Sequence, residues 1–308
     1  MKLVVTGASG FIGRNVLLRL PANWPVTAVY HRTGDLPAFV ADHALSNVTP
    51  VACDLTDPKA VGALAARAGG CDAAIYLAAN GDPALSTERV SFDLQMNTVA
   101  VVNFLEQMNV GRMIYMSSGA VYDGLVGNVT PASAVNPRLP YAISKLAAER
   151  YVAFFAEHTH KLSSHVNVRF FGAYGPYEAA RKITTRWLRA MQNGEREFTI
   201  RGDGRNLIDF MYVDDTVDAL LRLVRDSSFS GTVDLACGAP VTIDEIAAAM
   251  SRAVGIPMTI RHEGAVPEYI EFRSADATLR DRFDFVPSVS FEDGIRRLHA
   301  FFNQPARA

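Results

Sequence analysis

Short apolar runs alternate with stretches of helical periodicity along the first half of the chain. The apolar runs predict strands at residues 2–6, 26–30, 48–52, 73–78, 113–117 and 166–171. Apolar residues three and four apart predict helices over about 11–20, 88–108 and 141–158. Strands and helices that alternate at this spacing are typical of a doubly wound α/β fold, in which helices cover both faces of a parallel sheet.

The rhythm becomes irregular after about Gly172, where turns are more frequent and the elements are shorter. We therefore predict a Rossmann-type sheet domain over residues 1–171 and a smaller C-terminal substrate-binding domain over residues 172–308. Some of the later segments are expected to return to the first domain.

The composition of the chain argues against several classes of function, among them nucleic-acid, membrane and metal binding. The chain has 308 residues, 49% hydrophobic and 20% charged, with a formal net charge of −2. This is an ordinary globular composition, and the charge argues against nucleic-acid or membrane-surface binding. No apolar stretch is long enough for a signal peptide or a membrane span. Three scattered cysteines, Cys53, Cys71 and Cys237, predict reduced thiols in a cytoplasmic protein. The histidines lack metal-binding spacing, so no metal is expected.

Residues 6–13 read TGASGFIG and lie between the first strand and the first helix. Gly7 allows a tight turn, Gly10 lets the backbone approach a pyrophosphate, and Gly13 lets helix and strand pack closely. Phe11 and Ile12 begin a helix whose free N–H groups attract an anion. A plain strand-to-helix turn would also use glycine, but the strand–turn–helix context favours a dinucleotide site.

The end of the second strand bears on which dinucleotide binds. An NAD site usually has an acidic residue here for the ribose 2′-hydroxyl, whereas this chain has His31 and Arg32. The Arg32 guanidinium would attract a 2′-phosphate, which favours NADP over NAD. The alternative is a surface arginine without a ligand. Asp54 and Leu55, after the third strand, are expected at the adenine edge.

A tyrosine and a lysine share one face of the predicted helix at 141–158. Tyr141 and Lys145 are four residues apart. A lysine ammonium and a nicotinamide cation would lower the phenol pKa from its usual value of about 10. Tyr141 could then exchange a proton while a hydride moves to or from the nicotinamide. Ser118 follows a strand end that faces the same cleft, although a turn or capping serine is the alternative interpretation.

Together these residues resemble the extended short-chain dehydrogenase/reductase family, in particular its nucleotide-sugar epimerase, dehydratase and reductase branch. The resemblance covers nearly the whole chain. Its motifs are TGASGFIG at 6–13, Asp54, YLAA at 76–79, Asn97, SSGAVY at 117–122, YAISK at 141–145, YGP at 174–176 and DFMYVDD at 209–215.

The resemblance implies a role for each matching residue. Tyr141 would be the acid–base and Lys145 its activator and ribose anchor, both in contact with the cofactor, while Ser118 would hydrogen-bond the reacting oxygen. Asn97 would support the cofactor site through its helix, although a helix-interior asparagine with local hydrogen bonds is the alternative. Further cofactor contacts are expected from Leu77, Ala78, Ala79 and Phe171.

Departures from the family pattern narrow the chemistry. The 4,6-dehydratases carry an Asp–Glu pair just after the catalytic hydroxyl, where this chain has Gly119 and Ala120. The 3,5-epimerase/reductases use a Cys near that point and a His after YGP, where this chain has Ala120 and Tyr177. Simple reversible hydride transfer at one carbon remains.

Three positions that usually hold a nucleotide-sugar diphosphate also differ. Gly172 replaces an asparagine, Ile208 an arginine, and a third arginine is replaced near Val266. Each lost charge-assisted bond is worth about 1.5–3 kcal/mol. Either the substrate lacks a diphosphate or other cations hold it. The candidates are Arg181, Lys182, Arg186, Arg201 and Arg205, each of which is also explained as a solvated surface charge.

The sequence favours an NAD(P)-dependent 4-keto-sugar reductase, because Arg32 suggests NADPH and no extra acid–base residue is evident. The alternatives are a nucleotide-sugar 4-epimerase with tightly bound NAD and a dehydrogenase of a sugar acid or other small hydroxy compound. A non-catalytic dinucleotide sensor on the same fold is a further alternative. The apolar helices near 88–108 and 141–158, together with the resemblance, suggest a homodimer.

Overall fold

A seven-stranded parallel sheet forms the centre of the computed structural model, which describes residues 1–265 and 270–304. Its strands are β1 (Leu3–Thr6), β2 (Val26–Tyr30), β3 (Val48–Ala52), β4 (Cys71–Tyr76), β5 (Val110–Met116), β7 (Leu162–Phe170) and β12 (Gly231–Leu235). Six of these correspond to the apolar runs that predicted strands, so the predicted doubly wound fold is confirmed.

The strand order is β12-β7-β5-β4-β1-β2-β3. Leu3 of β1 pairs in parallel with Val26 of β2 on one side and with Ala73 of β4 on the other. The direction in which the sheet grows therefore reverses between β1 and β4. A crevice opens outside the carboxyl ends of parallel strands at such a switch point, and ligands bind there in open α/β sheets.

Helices cover both faces of this sheet. One face packs against α1 (Phe11–Leu17), α2 (Leu36–Asp42), α9 (Val213–Arg225) and α11 (Thr278–Phe283). The other packs against α3 (Pro58–Ala68), α6 (Ala100–Gln107) and α7 (Pro140–His158). Helix α1 ends three residues earlier than predicted. The predicted helix over 141–158 matches α7 to within one residue.

The single helix predicted over about 88–108 is wrong. The chain instead forms α4 (Pro83–Glu88), α5 (Val90–Leu94), a π-helical turn (Gln95–Val99) and α6. The first break lies at Arg89, whose φ of −133° and ψ of 65° leave the helical region. Asp82 accepts hydrogen bonds from the backbone N–H groups of Ala84 and Leu85, which starts α4 well before the apolar periodicity begins.

The second half of the chain builds a smaller core on α8 (Ile183–Gln192), α10 (Ile243–Val254) and α12 (Phe291–Phe302). Short two-stranded sheets flank it. They pair β6 (Val126–Val129) with β15 (Glu271–Ser274), β8 (Ala173–Tyr174) with β11 (Met211–Tyr212), β9 (Glu197–Arg201) with β14 (Thr259–Glu263), and β10 (Leu207–Ile208) with β13 (Val241–Thr242).

Strand β12 and helix α9 come from this second half of the chain, but they belong to the central sheet and to the helices that cover it. Strand β12 pairs with β7 from Gly231 to Leu235, and α9 packs beneath the central sheet. The division at residues 171 and 172 stays a prediction. Within the described residues, no helix combines the length and the apolar character that crossing a bilayer requires.

Candidate active site

The glycine turn after β1 is set by close backbone approaches. Gly7 has a φ of 65°, and a Cβ there would lie 2.8 Å from the backbone nitrogen of Ala78. A Cβ on Gly13 would lie 2.4 Å from the carbonyl oxygen of Gly7 and 2.7 Å from the Cα of Ala8. Real Cβ atoms do not come this close, so both positions require glycine. The turn thereby brings β1, β4 and α1 together at the switch point.

A cavity of about 310 Å³ lies directly beside this turn. Among the predicted cofactor residues, those that line it are Gly7, Gly10, His31, Arg32, Asp54, Leu55, Leu77, Ala78 and Ala79. Sequence reasoning missed further lining residues, namely Ser9, Val29, Tyr30, Thr33, Cys53, Phe92, Met96 and Ala100. The cavity is thus built from the ends of four strands, β1 to β4, and from the broken helix that the sequence pattern had predicted to be continuous.

The remaining predicted cofactor residues lie elsewhere. Phe11 and Ile12 are in α1 and pack against the core, and Gly13 contacts the glycine turn itself. Phe171 packs on Gly119 and against the rings of Tyr122 and Phe272. None of these residues lines the 310 Å³ cavity.

At the strand ends, the cavity wall brings an imidazole close to a carboxylate. His31 Nε2 lies 3.5 Å from an Asp54 carboxylate oxygen, and Arg32 is exposed. Burial opposes ionisation of Asp54, but hydrogen bonds from Thr56 and the charges of His31 and Arg32 bring its pKa below the ordinary value. Asp54 is therefore an ionised acceptor at neutral pH. Small residues at the turn and an acceptor at the far wall fit a dinucleotide.

Ser118 and Tyr141 meet at the carboxyl end of β5. The Ser118 hydroxyl caps the short 3-10 turn Gly119–Tyr122, accepting a hydrogen bond from Ala120 N at 3.1 Å. Tyr141 lies in the first turn of α7, where its backbone N–H donates to the Ser86 hydroxyl at 3.1 Å. The two side chains are hydrogen-bonded to each other. The structure therefore brings this predicted pair together.

Burial raises the pKa of the Tyr141 phenol, and the Asp93 charge adds to the rise, while the hydrogen bond with Ser118 opposes it. The sequence argument expected the neighbouring lysine to favour the phenolate. In the protein alone, burial outweighs that attraction, so the phenol keeps its proton at neutral pH.

Lys145 is buried one turn further along α7. Its Nζ donates a hydrogen bond to the carbonyl oxygen of Met116 at 2.9 Å and lies 5.2 Å from the centre of the Tyr115 ring. Burial lowers the pKa of Lys145 to about 8, although the carboxylates of Asp93 and Glu149 oppose the fall. An ammonium with a pKa this low releases its proton readily near physiological pH.

Asn97 does not line the cavity. It is 1% exposed, and its amide oxygen accepts from Asn80 N at 2.8 Å. Its amide nitrogen donates to Asp93 Oδ1 at 2.8 Å. Asn97 therefore belongs to a buried network that connects the loop after β4, α5 and the π-helical turn, as a support through its helix would require.

Several buried polar residues near the site were missed by sequence reasoning. Glu149 and Arg169 form an ion pair of 2.8 Å with both side chains 4% exposed, and the Ser117 hydroxyl donates to Glu149 at 2.5 Å. Asp93 was also missed, although its spacing of four residues from Asn97 places both on one helix face. That spacing is the only sequence signal that pointed to it.

The structure accounts for two of the positions that differ from the family's diphosphate-binding residues. Gly172 has a φ of 151°, and a Cβ there would lie 3.2 Å from the Phe210 ring, so a larger residue would be strained. Ile208 packs into the C-terminal core. Val266 lies outside the described residues.

Two of the candidate replacement cations are already paired. Arg181 lies 3.4 Å from Asp82, and Arg205 lies 3.6 Å from Asp203. Within residues 1–265 and 270–304, no cluster of His, Cys, Asp or Glu has the geometry of a metal site.

A second cavity of about 910 Å³ lies near the start of α7. Its charged lining residues are Asp123, Arg138 and Glu271, and Arg138 and Asp123 lie 3.8 Å apart. Leu139 and Pro140, which directly precede Tyr141, also line it. This cavity offers room for a substrate close to the Tyr141 segment.

Comparison with known proteins agrees with this geometry. A family model described as "NAD dependent epimerase/dehydratase family" matches residues 3–235. UDP-glucose 4-epimerase of Mycolicibacterium smegmatis is 27% identical, and the match covers 100% of both chains. A probable UDP-glucuronate 4-epimerase of Rhizobium meliloti is 26% identical over 100% of this chain and 98% of that protein. Among solved structures, MoeE5 in complex with UDP-glucose and NAD is 26% identical with a TM-score of 0.83, covering 98% of each chain.

Proposed function

The chain belongs to the NAD dependent epimerase/dehydratase family, and from that premise we propose that it is a nucleotide-sugar 4-epimerase that works with NAD. The observation that carries the proposal is the hydrogen-bonded pair of Ser118 and Tyr141 with buried Lys145 at the carboxyl end of β5, the strand that neighbours β4 at the switch point. Full-length similarity to two 4-epimerases supports the reaction type.

This proposal replaces the 4-keto-sugar reductase that the sequence favoured. The preference for a reductase depended on Arg32 and NADPH, and the comparisons do not support an NADP preference. NAD is the dinucleotide in the similar MoeE5 structure. In our proposal Arg32 is instead a partner of Asp54, whose ionisation it promotes.

The cofactor would lie in the 310 Å³ cavity, with its pyrophosphate at Gly7 and Gly10 and its adenine end at Asp54 and Leu55. When bound, NAD supplies the hydride acceptor and donor for a sugar carbon. The chain's own residues manage the proton. With its phenolate form favoured by the Lys145 ammonium and by the positive charge of bound NAD, Tyr141 Oη would take the proton of the sugar hydroxyl and return it, and Ser118 would hold the reacting oxygen.

Two buried groups support this proton transfer. The Lys145 ammonium stabilises negative charge near Tyr141, and its hydrogen bond to Met116 fixes where that charge lies. No further acid–base pair follows Ser118, since Gly119 and Ala120 occupy the 3-10 turn. An oxidation and a reduction at one sugar carbon need no groups beyond Ser118, Tyr141, Lys145 and bound NAD.

The sugar-nucleotide diphosphate would be held differently from the family pattern. Gly172 and Ile208 offer no charge. In the proposal, Arg181 exchanges its ion pair with Asp82 for a substrate phosphate, because the pair is more than half exposed on the arginine side and costs little to break. A substrate without a diphosphate would leave that ion pair intact.

The first test is the identity of any dinucleotide that the purified protein releases on denaturation. Stoichiometric NAD is expected, since an epimerase recycles its hydride internally. UDP-glucose should then be converted to UDP-galactose without added cofactor. A protein that is empty, takes up NADPH in preference to NADH and consumes it would restore the reductase interpretation.

The second test is Tyr141→Phe, which removes the proton-transferring hydroxyl and keeps the ring. Turnover should fall at least about 100-fold while bound NAD and the unfolding midpoint stay unchanged. Tyr151→Phe, an exposed tyrosine on the same helix, is the matched control and should keep full turnover. Undiminished turnover in Tyr141→Phe would remove Tyr141 from the mechanism.

A further inference from the structure

A buried carboxylate lies beneath the catalytic helix and has no role in the scheme above. Asp93 of α5 is 1% exposed. One of its oxygens accepts from Asn80 Nδ2 at 2.7 Å and from Asn97 Nδ2 at 2.8 Å, and the other accepts from the Ser144 hydroxyl at 2.6 Å. Three donors within 2.8 Å compensate the lost hydration of a carboxylate.

These hydrogen bonds fix the segment of α7 that carries the catalytic pair. Ser144 directly precedes Lys145, and Thr98 in the π-helical turn donates to the carbonyl oxygen of Ser144 at 2.8 Å. Ser86 of α4 accepts from Tyr141 N. The first turn of α7 is therefore attached to α4, α5 and the π-helical turn at separate points.

The three donors to Asp93 are neutral, so they leave its negative charge uncancelled. Four groups on the surrounding elements respond to charge. Lys145, Tyr141 and Glu149 lie on α7, and Tyr115 lies on β5. Glu149 forms an ion pair with Arg169 on β7, but its charge also raises the pKa of Lys145. The Asp93 charge raises the pKa of both Lys145 and Tyr141. Of the two buried carboxylates that act on Lys145, Asp93 has the larger effect.

We propose that Asp93 is a positioning residue of the catalytic helix, which it holds through Ser144 while its charge stabilises the Lys145 ammonium. Its catalytic consequence rests on the proposed function, but its effect on Lys145 does not. Removing the charge without changing the shape is possible with Asp93→Asn.

Lysine NMR tests the charge directly and needs no substrate. The chain has five lysines, so selective ¹³C labelling of the lysine ε-carbon gives few signals, and the Lys145 signal is the one that Lys145→Met removes. Titration should give Lys145 a pKa of about 8 in the wild type. In Asp93→Asn that pKa should fall by about one further unit.

Matched variants separate charge from structure. Glu106→Gln removes an exposed charge on the neighbouring helix α6 and should leave the pKa of Lys145 unchanged. Ser144→Ala removes the connection to α7 but keeps the carboxylate, so it should lower the unfolding midpoint and leave the Lys145 pKa within about 0.3 unit of the wild type. A Lys145 pKa that Asp93→Asn does not lower would overturn the proposal.

A measurement on the wild type covers the case in which Asp93→Asn does not fold. The γ-¹³C signal of Asp93, assigned through its own backbone, should be that of a carboxylate at pH 7. A carboxylic acid signal would overturn the proposal. If the chain has epimerase activity, the acidic limb of kcat/KM in Asp93→Asn should move to lower pH, because Tyr141 then loses its proton more easily. Absence of epimerase activity would contradict the proposed function and leave the NMR result standing.

Discussion

At the scale of single residues, the site concentrates ionisable groups where water is excluded. The Lys145 side chain is buried, and burial disfavours its positive charge. Its pKa therefore falls from the ordinary 10.5 to about 8. A difference of this size corresponds to about 3 kcal/mol in favour of the neutral form. The lysine therefore costs the fold stability in order to hold its charge beside Tyr141.

Replacing Lys145 with Met should make the protein more stable and inactive. The expected gain in the free energy of unfolding at pH 7 is about 1–3 kcal/mol, because the lost hydrogen bond to Met116 offsets part of the relief. Urea unfolding of variant and wild type, together with turnover assays, measures both effects. Lys59 is an exposed lysine on α3, and Lys59→Met is the matched control. It should leave both the free energy of unfolding and the turnover close to the wild-type values.

The advantage of Lys145→Met should disappear at alkaline pH. Between about pH 8 and 10.5 the unfolded wild-type chain holds a proton on Lys145 that the folded chain has lost, so the wild type gains stability as the pH rises. The difference between the two proteins should shrink over that window. A constant difference from pH 7 to 10 would mean that Lys145 is not buried as a charge.

Sequence reasoning found the residues that follow a spaced motif and missed those that tertiary packing brings together. Ser118, Tyr141 and Lys145 were named from strand-end position and helical spacing. Asp93 and Ser144 are distant in sequence, and only the packing of α5 against α7 makes them partners. No local pattern encodes that contact.

At the scale of elements, the turn between β1 and α1 has no room for side chains at Gly7 and Gly13. Gly13→Ala would bring a Cβ against two backbone groups, Gly7 O and Ala8 Cα, and neither can move without shifting β1 or α1. We expect the free energy of unfolding to fall by about 1–3 kcal/mol, as for overpacked cores, and dinucleotide binding to weaken. Thermal unfolding and NAD titration measure these losses.

Gly34→Ala is the matched control for this turn. Gly34 follows β2, has no atom within 4 Å of a built Cβ and does not adopt a positive φ. It should change stability by less than about 1 kcal/mol, in the favourable direction. Equal effects at both glycines would contradict the close approach at Gly13.

Six of the seven strands of the central sheet were predictable because each is a short apolar run, and the inner strands β1, β4 and β5 are largely buried on both faces. The segmentation of the predicted helix over 88–108 was not. Its break at Arg89 contains neither proline nor glycine, and the π-helical turn follows from contacts of Asn97 and Thr98 with their neighbours. Two-residue strands such as β8 and β11 exist only because each pairs with the other, so no pattern of their own predicts them.

At the scale of the whole molecule, a group of large apolar side chains is exposed on the helices that flank the site. They are Val90, Leu94, Val99, Ile143, Tyr151 and Phe154, each at least 38% exposed. These residues come from α5, the π-helical turn and α7. An apolar group of this kind is typical of an interface between subunits.

We expect a homodimer with a mass of twice 33.5 kDa in sedimentation equilibrium. Phe154→Glu should convert it to a monomer, because a charge at the centre of an apolar interface is costly to bury. Val286→Glu is the control, since Val286 is 63% exposed and lies far along the chain from these helices. A monomeric wild type would contradict the expectation.

The return of the chain to the central sheet has a consequence for synthesis. Strand β7 ends at Phe170 and its neighbour β12 starts at Gly231, so 60 residues separate them. A ribosome that adds about 5–20 residues per second leaves the outer edge of β7 without its partner for about 3–12 s. An unpaired apolar edge attracts other nascent chains. In β7 the polar residues His165, Asn167 and Arg169 alternate with valines. This alternation makes the unpaired edge of β7 a poor template for aggregation.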